Sequence, residues 1–508
     1  MLMIRKFLQK TKSRKANVWL YACFVLVTSF FTYMYRYDYP PNPFWDEPYH
    51  VVAAQKYLNG VYFMEPHPPL GKLLIALGEK IVHGNEKNDQ FLTTDYAGNI
   101  PDGFSFAGYR LFPSLLAWLT APILFFIFLF ITGSGPISAL LSFLYVFENA
   151  EIVHSRGAMV DSTLTFLGML CVLLFLHLQR KDKALGIYSH CVLSALFGLA
   201  FGLAMATKVL AMIFVLFFPL IIFRLIPDWK KVALFVLCSV SVMLVAYVSV
   251  WQIHFSLGKK VIPELPDNGY YQASDELKTI LESGKTDEFS SFPVMLRDHL
   301  KFGPHYTRGV PRLDLCKKDE NGSPSYFWPF GARSINYRWA QENENEYRYL
   351  YLQSNPVAWG IGLLSVVLSF VLLLAPLLFT VKEKLRHPFL LVTFLGLYCS
   401  YMVAVSRITR VMYLYHYFIP LLFSFILCGL VLINIQRVGR MKITEDRRTV
   451  FMTALALLIF AAFQFYRPLT YYEPLTDDAM KKRSIVQLWE LTCVRCESLS
   501  WIVVPGTN

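Results

Sequence analysis

Charged residues are scarce in this sequence. They make up 17% of its 508 residues, whereas hydrophobic residues make up 55% and aromatic residues 16%. This composition excludes a soluble protein of ordinary make-up, in which about a quarter of the residues are charged. A membrane-spanning helix needs about 20 mainly apolar residues. Several windows of the sequence meet this requirement, for example the one that contains residues 121–130. The composition therefore predicts an all-α protein that crosses a membrane several times, with a net charge of +12 concentrated in short basic clusters.

Metal-binding cysteine motifs, repeats and a leader cleavage site are also missing from the sequence. Cys493 and Cys496 form one closely spaced pair with no second pair and no nearby histidine, which disfavours a zinc site and leaves a disulfide as the alternative. There is no repeat at solenoid or propeller periods. The basic N-terminal segment precedes an apolar stretch without a small-residue cleavage site, so we expect an uncleaved anchor.

Eleven apolar windows are interpreted as membrane spans. They cover residues 17–35, 109–132, 136–150, 158–178, 185–206, 209–226, 232–253, 356–381, 388–405, 411–435 and 449–465. The third window is the weakest, because it is short and ends at Glu148. With eleven spans and a cytoplasmic N-terminus, every basic cluster lies on the cytoplasmic side, as the positive-inside rule requires. Without the third span the later clusters would violate that rule.

This topology divides the chain into four segments. The predicted segments are an N-terminal membrane catalytic region at 1–253 with a first external loop at 36–108, a second external loop at 254–355, a C-terminal region of four membrane helices at 356–466, and an external tail at 467–508. Both loops are long enough to carry short helices over the membrane face.

An acidic pair lies in the first external loop. Asp46 and Glu47 are followed about twenty residues later by a proline-stiffened stretch, Glu-Pro-His-Pro-Pro-Leu-Gly-Lys, that contains His67 and Lys72. A carboxylate can take the proton of a hydroxyl nucleophile, and cations stabilise a leaving phosphate. The two motifs therefore suggest chemistry on a lipid-borne substrate at the membrane face. For His67 and Lys72 a structural role is expected at least as strongly as a catalytic one.

Polar residues also occur where the fourth predicted span enters the membrane. Arg156 and Asp161 lie on the same side as the acidic pair in the predicted topology. Charges at membrane depth are costly and usually face a cavity or a partner. A guanidinium can grip a phosphate through paired donors, so Arg156 is the first candidate for a lipid phosphate. Asp161 fits a structural partner and a site residue equally well.

These motifs resemble those of the dolichyl- or polyprenyl-phosphate-mannose protein O-mannosyltransferases, which are glycosyltransferases of the GT-C type. The acidic pair with its HPPLGK segment, residues 148–161, residues 328–359 and the run from Arg410 to Pro420 keep the order of the family's motifs. The resemblance implies a GT-C fold with about eleven membrane helices and two long external loops. It also implies an inverting transfer of mannose from a polyprenyl phosphate to Ser or Thr hydroxyls of exported proteins.

The sequence departs from the family pattern in two places. Many eukaryotic members insert a β-trefoil domain of MIR repeats between spans seven and eight, and the loop of about a hundred residues here lacks such repeats. It is more similar to the compact bacterial members, which implies a bacterial inner membrane with an external site; the endoplasmic reticulum, with a lumenal site, is the alternative. Lys208 is retained from a family motif whose neighbouring residues differ here. A simple interfacial role is therefore as well supported for Lys208 as a sugar-donor role.

The resemblance also implies roles for individual residues. Asp46 is the expected base and Glu47 its supporting or acceptor-binding partner, although the sequence does not rank the two. Arg156 and Lys208 are the candidates for the donor phosphate, with Arg410 as a third. His67, Lys72 and Asp161 complete the substrate-binding candidates.

Cofactors and partners follow from the same reasoning. Asp46, Glu47 and His50 carry donor atoms suited to a divalent cation, but no sequence feature fixes a coordination geometry, so we expect no obligatory metal or other cofactor. The expected partners are the polyprenyl-linked sugar, an acceptor protein and the bilayer, and not nucleic acid; a dimer is left open. Two alternative functions are a GT-C transferase acting on lipid A or a cell-wall glycan, and a secondary transporter. The transporter is disfavoured because the polar residues gather at the outer face and the long loops do not recur between halves.

Overall fold

A computed structural model describes residues 2–87, 100–180, 186–265, 269–317, 320–380 and 383–495, with side chains from residue 17 onward. The described chain is mainly helical. Its helices are α1 Leu2–Tyr33, α2 Glu47–Leu58, α3 Leu70–Val82, α4 Ala107–Thr132, α5 Gly135–Val146, α6 Asn149–Ser155, α7 Asp161–Leu178, α8 Ile187–Met205, α9 Phe217–Leu225, α10 Trp229–Leu257, α11 Asp275–Glu282, α12 Phe292–Gly309, α13 Pro356–Leu378, α14 Pro388–Ser406, α15 Phe418–Asn434, α16 Glu445–Tyr471 and α17 Asp477–Arg483. Its strands are β1 Ile335–Gln341, β2 Glu346–Leu352, β3 Arg437–Val438, β4 Met441–Lys442 and β5 Pro474–Thr476.

Each of the eleven predicted windows contains apolar helix. Among the described residues, eight helices are individually long and apolar enough to cross a membrane. The third window is a broken helix in which α5 and α6 meet at a bend of 62°. The first and sixth windows hold the shorter apolar helices Asn17–Tyr33 and Val209–Leu225, the latter beginning as a 3-10 helix over Val209–Leu216. The protein is therefore a multi-pass membrane protein.

The chain folds as two compact units. The first unit comprises Met1–Tyr35, Trp118–His154 and Leu313–Asn508, and the second comprises Arg36–Ala117 and Ser155–Arg312. Each unit is thus assembled from segments that are distant in the sequence, so residues of the two predicted external loops are placed by long-range packing.

In the first unit, the break between α5 and α6 is fixed by a buried carboxylate. Glu148 Oε1 accepts hydrogen bonds from the Asn355 backbone N–H (2.8 Å) and from Trp359 Nε1 (2.9 Å), and Glu148 Oε2 accepts the Glu151 N–H (2.6 Å). Asn355 in turn caps α13, because its Oδ1 accepts the N–H of Val357 at 3.1 Å. The polar end of the weak third span therefore anchors the start of the eighth.

The first unit also contains a small antiparallel sheet in the order β1-β2-β5. Trp339 pairs with Tyr349 across β1 and β2, and Tyr347 pairs with Leu475 of β5. The buried face of β2 packs Tyr347, Tyr349 and Tyr351 against Tyr466, Leu469 and Trp489. Cys493 follows this cluster and is disulfide-bonded, while Cys496 lies outside the described residues.

In the second unit, α8 and α10 pack at backbone distance. A methyl group at Gly198 would lie 2.1 Å from the Ser239 carbonyl oxygen, and one at Gly202 would lie 2.6 Å from that of Met243. Only glycine permits this approach, which explains two glycines in the middle of an apolar helix. A second core joins α11 and α12 to the outer end of α10 through residues such as Trp251 and Phe255.

The described residues of the segment 254–355 form α11, α12 and the β1-β2 hairpin, together with short 3-10 turns. They contain no β-trefoil, in agreement with the interpretation of this segment as a compact loop.

Candidate active site

The acidic pair lies at the start of α2, in the second unit. Trp45 adopts a left-handed backbone with φ 51°, a conformation that is strained for a bulky residue and that often occurs at functional sites. Asp46 is the N-cap residue, and its carbonyl accepts the N–H of Tyr49 (3.1 Å) and of His50 (3.3 Å). Its half-buried side chain makes no capping hydrogen bond to α2. The Asp46 carboxylate is therefore not used to start the helix.

Glu47 has no exposed surface and is held by four donors. Its oxygens accept bonds from Arg110 Nε (2.7 Å) and Nη2 (2.8 Å), so the pair is bidentate. They also accept the backbone N–H of Ala158 (2.7 Å) and of Phe44 (3.0 Å). The carboxylate thus ties the turn before α2 to the start of α4 and to the residues preceding α7. Glu47 therefore fixes the position of the turn that contains Asp46.

Arg110 completes this anchor, and the sequence analysis did not single it out. Its guanidinium is fully buried and donates to the backbone carbonyls of Asp38 (2.7 Å), Pro40 (2.6 Å) and Asn42 (2.9 Å). Three carbonyls and Glu47 thereby fix the segment that leads into Asp46. The signal available in the sequence was a lone arginine at the start of the long apolar run of the second span.

Two glycines bring three of the motif segments into contact. A methyl group at Gly157 would lie 2.8 Å from the ring of Phe44, and one at Gly71 would lie 2.7 Å from the side chain of Val160. The residues before α7 are therefore packed against the start of α3 and against the turn of residues 44–47, which carries Asp46 and Glu47 and is called the acidic-pair turn below. A larger residue at either glycine would push these segments apart.

The end of α8 joins the same arrangement. The Leu70 backbone N–H donates to the carbonyl of Ala206 at 2.8 Å, which places Lys208 beside the HPPLGK segment. Four stretches that are far apart in the sequence therefore meet in the second unit: residues 44–50, 65–72, 156–161 and 206–208.

Two buried ion pairs lie in this arrangement. Lys208 Nζ is 2.7 Å from Asp161 Oδ1, and Lys72 Nζ is 2.5 Å from Glu65 Oε2. The exposed fraction of these four side chains is 12% or less. Each ion pair therefore lies in a largely water-excluded place, where electrostatic interactions are stronger than in water.

His50 lies within electrostatic range of both pairs. Burial lowers the pKa of His50 well below its ordinary value, and Lys72, His67 and Lys208 lower it further, while Asp161 opposes them. The imidazole is 6% exposed, and its Nδ1 makes no hydrogen bond to the described protein. His67 itself is half-buried. The structure thus places His50, His67 and both lysines within electrostatic range of one another.

Arg156 and Arg410 are placed differently from these residues. Arg156 is 3% exposed, and its Nη2 donates to the carbonyl of Arg36 and, at 3.5 Å, to that of Tyr39. Asp161, five residues away, forms an ion pair with Lys208. Arg410 is half-buried and belongs to the first unit.

Among the residues that the structure describes, no group of three or more His, Cys, Asp and Glu side chains is arranged to hold a metal ion. Asp46, Glu47 and His50 therefore do not form such a group. The absence of an obligatory metal remains a prediction.

Comparison with known proteins identifies the family. Residues 23–258 match the family model described as dolichyl-phosphate-mannose-protein mannosyltransferase, and residues 311–489 match the C-terminal four-transmembrane region of protein-O-mannosyltransferase. The first match contains the four converging stretches, and the second contains α13 to α16.

Individual relatives are more distant. The chain is 29% identical over 202 residues to dolichyl-phosphate-mannose–protein mannosyltransferase 1 of Candida albicans, which is 40% of this chain and 22% of the relative. It is 32% identical over 154 residues to mannosyltransferase 4 of Schizosaccharomyces pombe, which is 30% of this chain and 19% of the relative. The alignments thus span about a fifth of the length of these curated relatives.

The fold has a counterpart among solved structures. The S. cerevisiae protein O-mannosyltransferase Pmt1-Pmt2 complex bound to the sugar donor superposes with a TM-score of 0.74 at 14% identity, covering 93% of this chain and 92% of the other. This likeness extends over nearly the whole chain and establishes the GT-C membrane fold. Since the two family models together span most of the sequence, the chain belongs to the dolichyl-phosphate-mannose-protein mannosyltransferase family.

Proposed function

We propose that this protein is an inverting glycosyltransferase that moves mannose from a polyprenyl-phosphate-mannose donor to Ser or Thr hydroxyls of exported proteins. The observation that carries the proposal is the convergence of residues 44–50, 65–72, 156–161 and 206–208 around a half-buried Asp46 and two buried lysines. Such a site brings a candidate base and cations into one region, as transfer from a phosphate requires.

Asp46 is the proposed base. The acceptor hydroxyl oxygen attacks the anomeric carbon, its proton passes to the Asp46 carboxylate, and the bond from the anomeric carbon to the phosphate oxygen breaks. The phosphate leaves with the electron pair of that bond. One such displacement inverts the anomeric centre, so a β-linked donor gives an α-linked product. Glu47 is fully engaged with Arg110 and backbone N–H groups, which supports its role as the partner that positions Asp46.

Cations stabilise the leaving phosphate in this proposal. Lys208 is buried beside Asp161, and Arg156 lies on the segment that contacts the acidic-pair turn. Its guanidinium is buried close to that turn, where it donates to the carbonyls of Arg36 and Tyr39. Lys72 and His67 border the same place. Arg410 is kept as a further phosphate candidate on its motif alone.

The membrane and the partners are proposed from the relatives. The names of the relatives specify dolichyl-phosphate-mannose as donor and protein as acceptor, and the yeast structure is a two-protein complex, which supports a dimer. The compact second loop supports a bacterial inner membrane with an external site. The fungal sources of the relatives support the alternative, a lumenal site in the endoplasmic reticulum membrane.

A membrane assay with labelled polyprenyl-phosphate-mannose tests the function. Membranes containing the wild-type protein should transfer label to protein, and matched membranes with Asp46→Asn should not. Label in lipid or glycan, with none in protein, would instead favour the related GT-C transferase. No label in any product, together with solute uptake by proteoliposomes, would favour the transporter.

A further inference from the structure

His50 is a buried polar residue to which the proposed mechanism gives no role. It is 6% exposed, and its Nδ1 is buried without a hydrogen bond to the described protein. Leaving a buried polar atom unsatisfied costs about 1–3 kcal/mol, and an apolar side chain of similar size would avoid that cost. The buried Nδ1 of His50 therefore points to a ligand that supplies the missing hydrogen bond.

The position of His50 indicates which part of the donor it meets. Its backbone N–H donates to the carbonyl of Asp46, so it lies one helical turn from the proposed base. Its imidazole also interacts electrostatically with Lys72 and Lys208, the cations beside the proposed phosphate position. In a polyprenyl-phosphate sugar, the sugar ring is the part that lies between the attacking hydroxyl and the phosphate.

The chemistry of the side chain agrees with that position. Burial and the two lysines favour the uncharged imidazole, in which one nitrogen donates and the other accepts a hydrogen bond. A sugar hydroxyl can donate or accept, so it fits either tautomer, whereas a phosphate oxygen only accepts. The lysines already provide positive charge for the phosphate. A neutral residue that is one helical turn from the base and within electrostatic range of both lysines is therefore suited to a hydroxyl.

We propose that His50 Nδ1 hydrogen-bonds a hydroxyl of the donor sugar and makes His50 a residue that determines sugar specificity. This inference rests on the proposed function, because it assumes a sugar carried on a polyprenyl phosphate.

Three variants separate this role from a structural one. In His50→Leu no polar atom remains, in His50→Asn an amide lies near the position of Nδ1, and in His50→Gln the amide lies near that of Nε2. We expect His50→Leu and His50→Gln to lower kcat/KM for polyprenyl-phosphate-mannose about tenfold, the loss of one neutral hydrogen bond, and His50→Asn to lower it less. His305→Leu, which removes an exposed histidine of α12, is the matched control and should keep wild-type activity.

Two further measurements identify the partner of His50. Sugar-free polyprenyl phosphate should inhibit His50→Leu and the wild type with the same inhibition constant, because its phosphate contacts are intact. The preference for the mannosyl over the glucosyl donor should fall in His50→Leu, and the melting temperature should stay equal or rise.

Equal activity of all three His50 variants and the wild type would overturn the inference, as would a parallel weakening of inhibition by sugar-free polyprenyl phosphate. A lower melting temperature in all three variants would assign His50 a structural role. If the wild type transfers no mannose from the donor, the proposed function fails, which is distinct from a failure of the His50 role.

Discussion

Glu47 and Arg110 form a bidentate ion pair in which neither side chain has any exposed surface. The pair connects the acidic-pair turn to α4. The Nη1 and Nη2 groups of Arg110 also donate to three backbone carbonyls in the segment that leads into Asp46. The residue next to the proposed base is therefore a structural anchor, and the position of Asp46 depends on it.

Breaking this pair should destabilise the protein. In Glu47→Gln a buried guanidinium loses its counter-charge, which in comparable pairs costs about 3–5 kcal/mol of unfolding free energy. We expect a clearly lower melting temperature in detergent, together with reduced transfer. An unchanged melting temperature would contradict the anchoring role of Glu47.

Asp46→Asn should behave in the opposite way. The amide keeps the shape of the carboxylate but cannot accept the hydroxyl proton, so turnover should fall by about two to four orders of magnitude. Because the Asp46 side chain does not cap α2, the melting temperature should change little. Transfer rates and melting curves on the same preparations provide the check. A stable Glu47→Gln protein with a larger loss of transfer than Asp46→Asn would reverse the two roles.

The membrane architecture was predictable because it depends on local composition. The eleven windows follow from runs of apolar residues, and the structure has apolar helix in every window. The sequence predicted a short third span that ends at Glu148, but not the bend between α5 and α6. The predicted topology placed the motif segments on one side of the membrane. Neither the composition nor the motifs contain information on which side chains face each other.

The pairing within the site was less accessible from the sequence. Arg156 and Asp161 are close in sequence, yet Asp161 pairs with Lys208, 47 residues away, while Arg156 turns to backbone carbonyls. Arg110 lies 63 residues from Glu47, and no local pattern links them. Such contacts are set by long-range packing, for example by the close approach of Gly157 to Phe44.

That approach provides a further test. In Gly157→Ala the new methyl group would lie 2.8 Å from the Phe44 ring, closer than packed carbon atoms allow. The Phe44 backbone N–H also donates to the Glu47 carboxylate, so a shift of Phe44 would disturb the acidic-pair turn. We therefore expect a loss of about 1–3 kcal/mol in unfolding free energy and reduced transfer. Gly360→Ala in α13 is the control, because nothing lies within 4 Å of its added methyl group, and it should be neutral. Equal melting temperatures for the two variants would contradict the packing.

A buried histidine of α12 should make stability depend on pH. The Nε2 atoms of His299 and His254 are hydrogen-bonded at 2.9 Å. Burial lowers the pKa of His299 to about 4, against an ordinary value of 6.5. Between these values the unfolded chain binds a proton that the folded protein does not, so folding stability is complete above about pH 6.5 and decreases as the pH falls toward 4. The decrease is about 3 kcal/mol for this group.

His299→Gln removes this titration while keeping a hydrogen-bonding side chain beside His254. Melting temperatures at pH 7 and pH 4.5 should therefore differ less in the variant than in the wild type. Carboxylates distant from His299 that titrate in the same range contribute equally to both proteins and cancel in the comparison, and the pKa of the neighbouring Asp298 is held below its ordinary value by hydrogen bonds from Ser274 and Arg297. An identical pH dependence would show that the imidazole is already solvated in the folded protein.

Variants of Arg156 test whether its guanidinium holds the donor phosphate. If its guanidinium contacts the phosphate, Arg156→Ala should raise the donor KM by about 10- to 100-fold, the loss of a charge-assisted hydrogen bond, and leave acceptor KM nearly unchanged. Arg156→Lys should restore only part, because an ammonium keeps the charge but lacks the planar fork. A role limited to the carbonyls of Arg36 and Tyr39 has a different signature, since both variants would then lower the melting temperature and protein yield with unaltered donor KM.

Asp161→Asn serves as the comparison: it breaks the ion pair with Lys208 and should lower stability whichever role Arg156 has. Donor kinetics equal to wild type in a stable Arg156→Ala protein would rule out the phosphate contact and leave Lys208 as the principal cation of the site.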